Sequence, residues 1–568
     1  MATNRRETDP NASAEGGIPV LTVHGTWEQV FTDEQKSALE AILPGFLRHR
    51  RWFSGKGRPL RSAIITESIP VTHDGCRSYL ALTQIDYLAS DPEMYLIGLS
   101  FASESQAAQA LSQDGRSILA RLETAEGSGV LYDAVHDRGF VIALLDLIDR
   151  EDQISGPKGR VLAIQTEKFD ELRGQGMPVE PRVMGVEQSN TSVVFGERLI
   201  LKLFRKLDVG TNPDLEIGRF LSEHGFFNTP PVAGALELRS TDLEPRTLGI
   251  LQRFVPNRGD AWKYTLETLS HTLKQVSAEG NQIYSLPVPD VGPLQLIGQE
   301  PPSGLLRLAG SYLHSARLLG ERTAQLHLTL NSSDNNPAFS PEPFSPDYQE
   351  SVYRAMRTMA TSILAMLQAH LQRIPTAERN QAKLLLRRED ELLDSYRVVL
   401  GTPIDAGRIR IHGDYHLGQI LFTGDDFVII DFEGEPARSL AERRIKRSPL
   451  RDVAGMLRSF DYAAHTALLG ISGTASEKHA LNHFVQGWLA WVAAVFLDAY
   501  LATCYGARFL PADRGQLETM LDLFQFDKAV YELGYELNSR PTWVGIPISG
   551  ITRILDQRSR QAAQRKVA

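Results

Sequence analysis

The chain has 568 residues, 42% of them hydrophobic and 23% charged, an ordinary globular balance with apolar surface for several domains. Its 60 Lys and Arg stand against 69 Asp and Glu. The net charge of −9 removes any global electrostatic reason to bind nucleic acid or an anionic membrane. Two cysteines, Cys76 and Cys504, cannot build a four-thiolate zinc site or a disulfide-stapled secreted scaffold, so a reduced, cytoplasmic setting is expected.

The polar N-terminus has no apolar signal segment, and residues 1–30 read as a flexible tail. Thr32-Asp33-Glu34 then opens an amphipathic run with Leu39, Ile42, Leu43, Phe46 and Leu47 on one face. Alternating or β-branched segments at 63–69, 79–85, 94–99, 140–147 and 161–165 predict strands of one or two half-buried sheets. From about residue 265 the pattern changes to long helices, including 310–330, 353–370 and 382–400, with an irregular, proline-rich link at 331–348. The apolar stretch 487–497 is stopped by Asp498, short of the ~20 residues a membrane helix needs, and reads as a buried helix. A strand-rich first part and a helical second part make an α+β protein.

The sharpest signal is RIHGDYHLGQILFTGDDFVIID at residues 410–431. Its loop carries Asp414, and the turn Gly424-Asp425-Asp426 between two apolar strands returns Asp431 to the same end. One carboxylate to take a proton from an attacking hydroxyl and a second to hold Mg²⁺ is what phosphoryl transfer from ATP requires. Gln419, five residues after Asp414, offers a further oxygen ligand. His-Gly-Asp alone would be an ordinary turn; the amide and the second carboxylate favour function.

This spacing resembles the protein-kinase-like superfamily, in the branch of aminoglycoside and choline kinases. The resemblance implies a strand lysine followed about fifteen residues later by a helix glutamate. Lys202, on the alternating segment 199–205, and Glu216, behind the helix start Asn212-Pro213, fit that order. Ahead of them Gln188, Ser189, Asn190, Thr191 and Ser192 form either a phosphate clamp or a plain turn, without the glycines of protein kinases. Gln252, Phe254 and Val255 would meet the adenine base at the interlobe hinge.

Several segments together resemble the maltokinases: 187–192, 252–260 (QRFVPNRGD), 319–327 (LGERTAQLH), 412–419, 431–457 (DFEGEPARSLAERRIKRSPLRDVAGML), 528–548 (KAVYELGYELNSRPTWVGIPI) and 51–56 (RWFSGK). The resemblance implies a bilobal, protein-kinase-like α+β fold. It has a tail at 1–30, a cap subdomain at 31–130, a strand-rich N-lobe at 131–256 and a helical C-lobe at 257–568. It further implies transfer of the ATP γ-phosphate to the anomeric hydroxyl of maltose, in α-glucan and trehalose metabolism. Asp414 would be the base, Gln419 and Asp431 the Mg²⁺ ligands, Lys202 the phosphate lysine oriented by Glu216, and Asp452 a brace for the catalytic loop. A trehalose synthase or a second copy of the chain are the expected partners, with no nucleic acid or membrane.

For the sugar, the candidates are His416, Glu433, Arg438, Tyr531, Tyr535 and Trp543. Tyr531 and Tyr535 share a helix face and fit a core equally well. The arginines at 438, 443, 444, 447 and 451 would repel a polycationic aminoglycoside if they face substrate; pairing with helix carboxylates would remove that effect. Two other readings remain open: a kinase for glucosamine or glucose, and a non-catalytic scaffold for a trehalose synthase.

Overall fold

The computed structural model describes residues 18–104, 117–174, 180–185, 189–240, 243–279, 287–332, 335–401, 403–471 and 474–567. The chain divides into two compact units, 1–219 with 231–255, and 220–230 with 256–568.

The first unit contains two sheets. In the first, β1 (Val20–Thr22), β2 (Leu60–His73), β3 (Cys76–Tyr87), β4 (Glu93–Ser103), β5 (Ile118–Thr124) and β6 (Gly127–Asp133) run in the order β1-β5-β6-β4-β3-β2. Asp74 and Gly75, both at positive φ, make the tight β2–β3 turn. The helix α1 (Asp33–Arg48) lays its predicted apolar face on this sheet, where Leu39, Leu43, Leu47, Trp52, Tyr95 and Leu131 are buried. The expected tail is shorter than 30 residues. β1 pairs in parallel with β5, Leu21 and Val23 are buried, and Trp27 packs on Tyr79 and Phe101. Burial of these apolar side chains offsets the cost of ordering the segment.

The second sheet runs β7-β8-β13-β14-β11-β10-β9, from β7 (Gln153–Ser155), β8 (Gly159–Gln165), β9 (Pro181–Val183), β10 (Asn190–Phe195), β11 (Leu199–Phe204), β13 (Val232–Ser240) and β14 (Leu243–Arg253). The two-residue strand β12 (Lys206–Leu207) continues from β11 into the first sheet, beside β4. Residues 140–147, expected as a strand, are instead the middle of the helix α2 (Arg138–Asp149). Asp137 caps it by accepting from the N–H groups of Gly139 and Phe140, and Phe140, Val141, Leu144, Leu145 and Ile148 repeat at helical spacing. That face packs between residues of both sheets, joining Leu80, Leu82, Val193 and Leu236 in one core.

The second unit is mostly helical: α4 (Ala261–Glu279), α5 (Ser303–Leu330), α6 (Pro346–His370), α7 (Leu450–Leu469), α8 (Ala475–Thr503), α9 (Arg514–Ser539) and α10 (Gly545–Val567). Two ribbons accompany them, β15 (Glu342–Pro343) with β16 (Gly407–Arg408), and β17 (Ile420–Phe422) with β18 (Phe427–Ile429). The segment 382–400 is not one helix. It passes from Thr376–Leu386 to Glu389–Asp394 and a 3-10 turn, because Arg388 leaves the helical conformation and pairs with Glu391 at 2.7 Å. Helix α8 is longer than the apolar stretch 487–497, and Glu477–Thr503 has the length and apolarity to cross a membrane. Most of it is buried: Trp488, Val492, Phe496 and Tyr500 face the core, and a Cβ on Gly320 of α5 would stand 2.3 Å from the Phe496 carbonyl.

Candidate active site

In the first unit, β10 and β11 pair with Ser192 opposite Lys202, and the chain reverses through Gly196 at φ 59°. Lys202 Nζ lies 2.8 Å from Asp214 Oδ2, with the carboxylate buried and the ammonium 15% exposed. Helix α3 (Pro213–Glu223) starts as the sequence suggests, with Asn212 Oδ1 accepting from the Asp214 N–H at 2.9 Å. Asp214, two residues before Glu216, is a partner the motif spacing did not single out. Its signal was an acidic residue in a first helical turn, where the helix dipole favours a carboxylate.

The Ser189-Asn190-Thr191-Ser192 segment is only partly available to a ligand, because from Asn190 onward it is the strand β10 and not a turn. Ser189 is exposed, Asn190 Nδ2 donates to Ser189 Oγ at 3.2 Å, and Gln188 lies outside the described residues. Thr191 is fully buried and its Oγ1 accepts from Arg205 Nε at 2.8 Å, so its hydroxyl is not a phosphate donor as expected. Arg205 in turn is paired with Asp133 at 2.7 Å. Gln252 sits in β14 opposite Ile200, while Phe254 and Val255 follow the strand's end; the Phe254 N–H donates to the Arg198 carbonyl at 2.7 Å.

In the second unit, the loop carrying Asp414 is organised by Asp452 at the start of α7. Asp452 is 2% exposed; its Oδ2 accepts from the His412 N–H at 2.8 Å and from His327 Nε2 at 3.1 Å, and its Oδ1 from the Gly413 N–H at 3.0 Å. Burial works to raise its pKa, but the His327 hydrogen bond, the electrostatic influence of His327 and His412 and the Gly413 N–H outweigh it, and the pKa falls. Gly413 has φ 86°, which a side chain would resist. The His412 ring spans the loop: Nε2 donates to the Ile430 carbonyl at 3.0 Å, and Nδ1 accepts from the Asp414 N–H at 3.4 Å.

Asp414 is left partly open, with Lys528 Nζ at 3.8 Å and His416 Nε2 at 3.9 Å. The Gly418 N–H donates to His416 Nδ1, which places the His416 proton on Nε2. Burial, with Lys528 and His412 adding to it, lowers the His416 pKa despite Asp414 and Asp431, so the ring is neutral near pH 7.

The β17–β18 hairpin forms as expected, turning through Gly424 at φ 117°. It is anchored by a two-pronged Arg322–Asp426 pair, both contacts at 2.8 Å, and by Asn228 on the Phe427 carbonyl. Residues 408–411 are less regular than the strand expected there, since only Gly407–Arg408 and a bridge from Ile409 to Arg447 pair. Past β18, Asp431 holds φ 68°, an uncommon left-handed conformation for a residue with a side chain. Asp431 and Glu433 bring carboxylate oxygens within 4.8 Å of each other. These carboxylate oxygens are hard ligands, which suit Mg²⁺ better than a soft metal.

Beside the loop lies an open recess walled by Gly413, Tyr415, Glu435, Arg438, Arg451 and Tyr531 among others. Of the candidate sugar contacts, Arg438 and Tyr531 line it. Tyr535 and Trp543 do not; their rings flank Arg540 instead, at 5.6 and 4.5 Å, and Tyr535 is half exposed. The arginines resolve into both alternatives at once. Arg438 pairs with Glu435 and Arg451 with Asp527 at 3.3 Å, yet all four line the recess, together with Arg443, Arg447 and Lys528. Glu435, Asp527 and Lys528 were not among the sequence candidates.

Residues 46–137 match the model of the maltokinase N-terminal cap domain. A glucosamine kinase of Streptacidiphilus jiangxiensis is 23% identical over 376 residues, covering 66% of this chain and 73% of that protein. A glucosamine kinase of Mycolicibacterium smegmatis is 23% identical over 380 residues, 66% of this chain and 80% of that one. Among solved structures, a glucosamine kinase (crystal form B) superposes with a TM-score of 0.60 at 20% identity, covering 94% of this chain and all of the other. A glucosamine kinase in complex with glucosamine, ADP and inorganic phosphate gives 0.58 at 19%, with the same coverage. The chain therefore has a kinase-like phosphotransferase fold with a maltokinase-type N-terminal cap.

Proposed function

We propose that this kinase-fold chain is an ATP-dependent sugar kinase whose acceptor is a neutral sugar, with maltose phosphorylated on its anomeric hydroxyl as the first choice. The observation that carries the kinase reading is the loop holding Asp414 open while Asp452 fixes the backbone on its N-terminal side. Maltose is favoured by the cap match at 46–137 and by the charge of the recess.

In this reaction Asp414 accepts the proton of the sugar hydroxyl as the new O–P bond forms and the bond from the γ-phosphorus to the leaving oxygen of ADP breaks. Lys528 stands beside it, its Nζ 3.8 Å from Asp414 Oδ1. Asp431, with Glu433 and Gln419, would hold Mg²⁺, which supplies charge neutralisation on the triphosphate. Lys202, steadied by Asp214, takes the role of the phosphate lysine. A catalytically dead scaffold is disfavoured because Lys202, Asp414 and Asp431 are all present.

The relatives that phosphorylate glucosamine favour a second reading, an amino-sugar acceptor. The recess argues against it: five cationic side chains, Arg438, Arg443, Arg447, Arg451 and Lys528, outnumber its four carboxylates, Glu435, Glu442, Asp452 and Asp527, and Glu435 and Asp527 each already have an arginine partner. An ammonium group would be repelled there. The test is ADP release from Mg²⁺–ATP with maltose, glucose, glucosamine and trehalose in parallel, followed by NMR of the product. Maltose 1-phosphate is the expected product. Turnover of glucosamine with none on maltose would overturn the choice of sugar and keep the kinase.

A further inference from the structure

One carboxylate oxygen in the recess has no role in the chemistry above. Asp527, on α9, is 6% exposed and lines the recess. Its Oδ2 accepts from Arg451 Nη1 at 3.3 Å, but its buried Oδ1 has no hydrogen-bond partner among the described residues. A buried acceptor left without a donor costs stability, and more when it is charged. Asp527 itself lines the open recess, and a turn of its carboxyl toward that space lets a ligand complete the bonding. Burial, with a contribution from Glu435, raises the Asp527 pKa even though Arg451 and Arg438 oppose it.

A complementary donor lines the same recess. Arg447 has no carboxylate within ion-pair distance among the described residues; its guanidinium donates only a long bond, 3.4 Å, to the Glu442 carbonyl. Burial together with the neighbouring Arg451 lowers its pKa to about 10, so it remains charged at neutral pH. Its backbone is held by reciprocal bonds with Ile409, 2.8 Å from Arg447 N and 3.0 Å from Ile409 N.

We propose that Asp527 is a specificity residue for the acceptor: its Oδ1 accepts a hydrogen bond from a sugar hydroxyl in the recess, and Arg447 donates to an oxygen of the same sugar. This rests on the sugar-kinase reading and deepens it. An acceptor and a donor on one wall match a polyhydroxylated ring, whose hydroxyls act in both senses. The ligand group is a hydroxyl rather than an ammonium because Arg438 and Arg451 bring positive charge to the carboxylate, and Arg447 adds to it in the same recess.

The test uses the full chain and whichever sugar of the panel it phosphorylates best. Asp527→Asn keeps the shape; once its oxygen takes the Arg451 bond, an NH₂ stands where Oδ1 was. The expected result is a KM for the sugar raised at least tenfold, with the KM for ATP within twofold and the unfolding temperature little changed. Arg447→Met should raise the sugar KM several-fold, again without touching ATP. A purely structural role for Asp527 would move the ATP KM and the unfolding temperature together. If Asp527→Asn does not fold, monodeoxy analogues of the sugar on the wild-type chain decide instead: at least one must lose tenfold or more in kcat/KM. A sugar KM unchanged in Asp527→Asn, or no sensitive hydroxyl in the deoxy series, overturns the inference while wild-type turnover upholds the kinase. No turnover of any sugar by the wild type overturns both.

Discussion

Asp452 concentrates the largest local electrostatic commitment of the catalytic loop, and Asp452→Asn tests whether that loop is held as described. The carboxylate accepts three hydrogen bonds, from His412 N–H, Gly413 N–H and His327 Nε2, in a fully buried site. Asparagine keeps one oxygen and turns an NH₂ toward a donor, so at least one buried N–H loses its acceptor. Breaking a buried, charge-assisted network from one side costs about 3–5 kcal/mol, and hydrogen bonds to a charged group contribute about 1.5–3 kcal/mol each. The variant should therefore lose stability of that order in the second unit. The same loss frees the backbone on the N-terminal side of Asp414, and a displacement near 1 Å costs about 10²-fold in rate.

The pH dependence carries a sign. The pKa of Asp452 is lowered in the folded protein, so its stabilisation is complete above the unfolded value near 4 and fades as pH falls below it. Urea unfolding followed by tryptophan fluorescence should thus separate wild type and variant widely at pH 7.5 and less below pH 4. ADP release gives the rate. A variant within about 1 kcal/mol of wild type, with unchanged kcat, would refute the argument.

Asp414→Asn should lower kcat by about 10²–10⁴-fold with little change in the KM for ATP, and full activity would remove Asp414 as the base. Asp431→Asn should abolish turnover and the dependence of rate on Mg²⁺ concentration, read by ADP release across a Mg²⁺ titration. Burial pushes the Asp522 carboxyl up to about 6, against the pull of Arg558 and with a push from Glu518. Its ionisation therefore costs folded-state stability as pH rises from about 4 to 6. Asp522→Asn should be more resistant to urea by on the order of 1–2 kcal/mol at pH 7.5, allowing for its partial exposure. It should show no advantage at pH 4; a gain equal at both pH values would rule out the titration of Asp522 as the cause.

The chemistry was most legible where local rules act within a few residues. Asn212-Pro213 announced the start of α3, Gly424-Asp425-Asp426 the turn between β17 and β18, and the alternation around Lys202 the strand β11. Residues 140–147 were misread because their run of apolar side chains suits a buried strand as well as a helix. Asp137, outside that window, decides for the helix by capping it. The helix expected over 382–400 failed for the converse reason: its pattern was periodic, but Arg388 is drawn to Glu391 and Asp556.

The sequence by itself determined the α+β class and the loop and hairpin that carry Asp414 and Asp431, whereas the brace at Asp452 came only from the resemblance to the maltokinases. The class, the loop and the hairpin depend on short-range spacing or on a motif read in one stretch. Only tertiary structure decided that Asp214 lies against Lys202, that Thr191 is spent on Arg205, and that Asp527 and Lys528 share a recess with Arg438 and Tyr531 while Tyr535 and Trp543 stand outside it. Helical spacing puts Tyr531 and Tyr535 on one face, but which end of that face meets a cavity depends on the packing of α9 against segments far away in the chain. Burial and ion pairing arise from such long-range contacts, and they separate a side chain committed to the fold from one still free to meet a sugar.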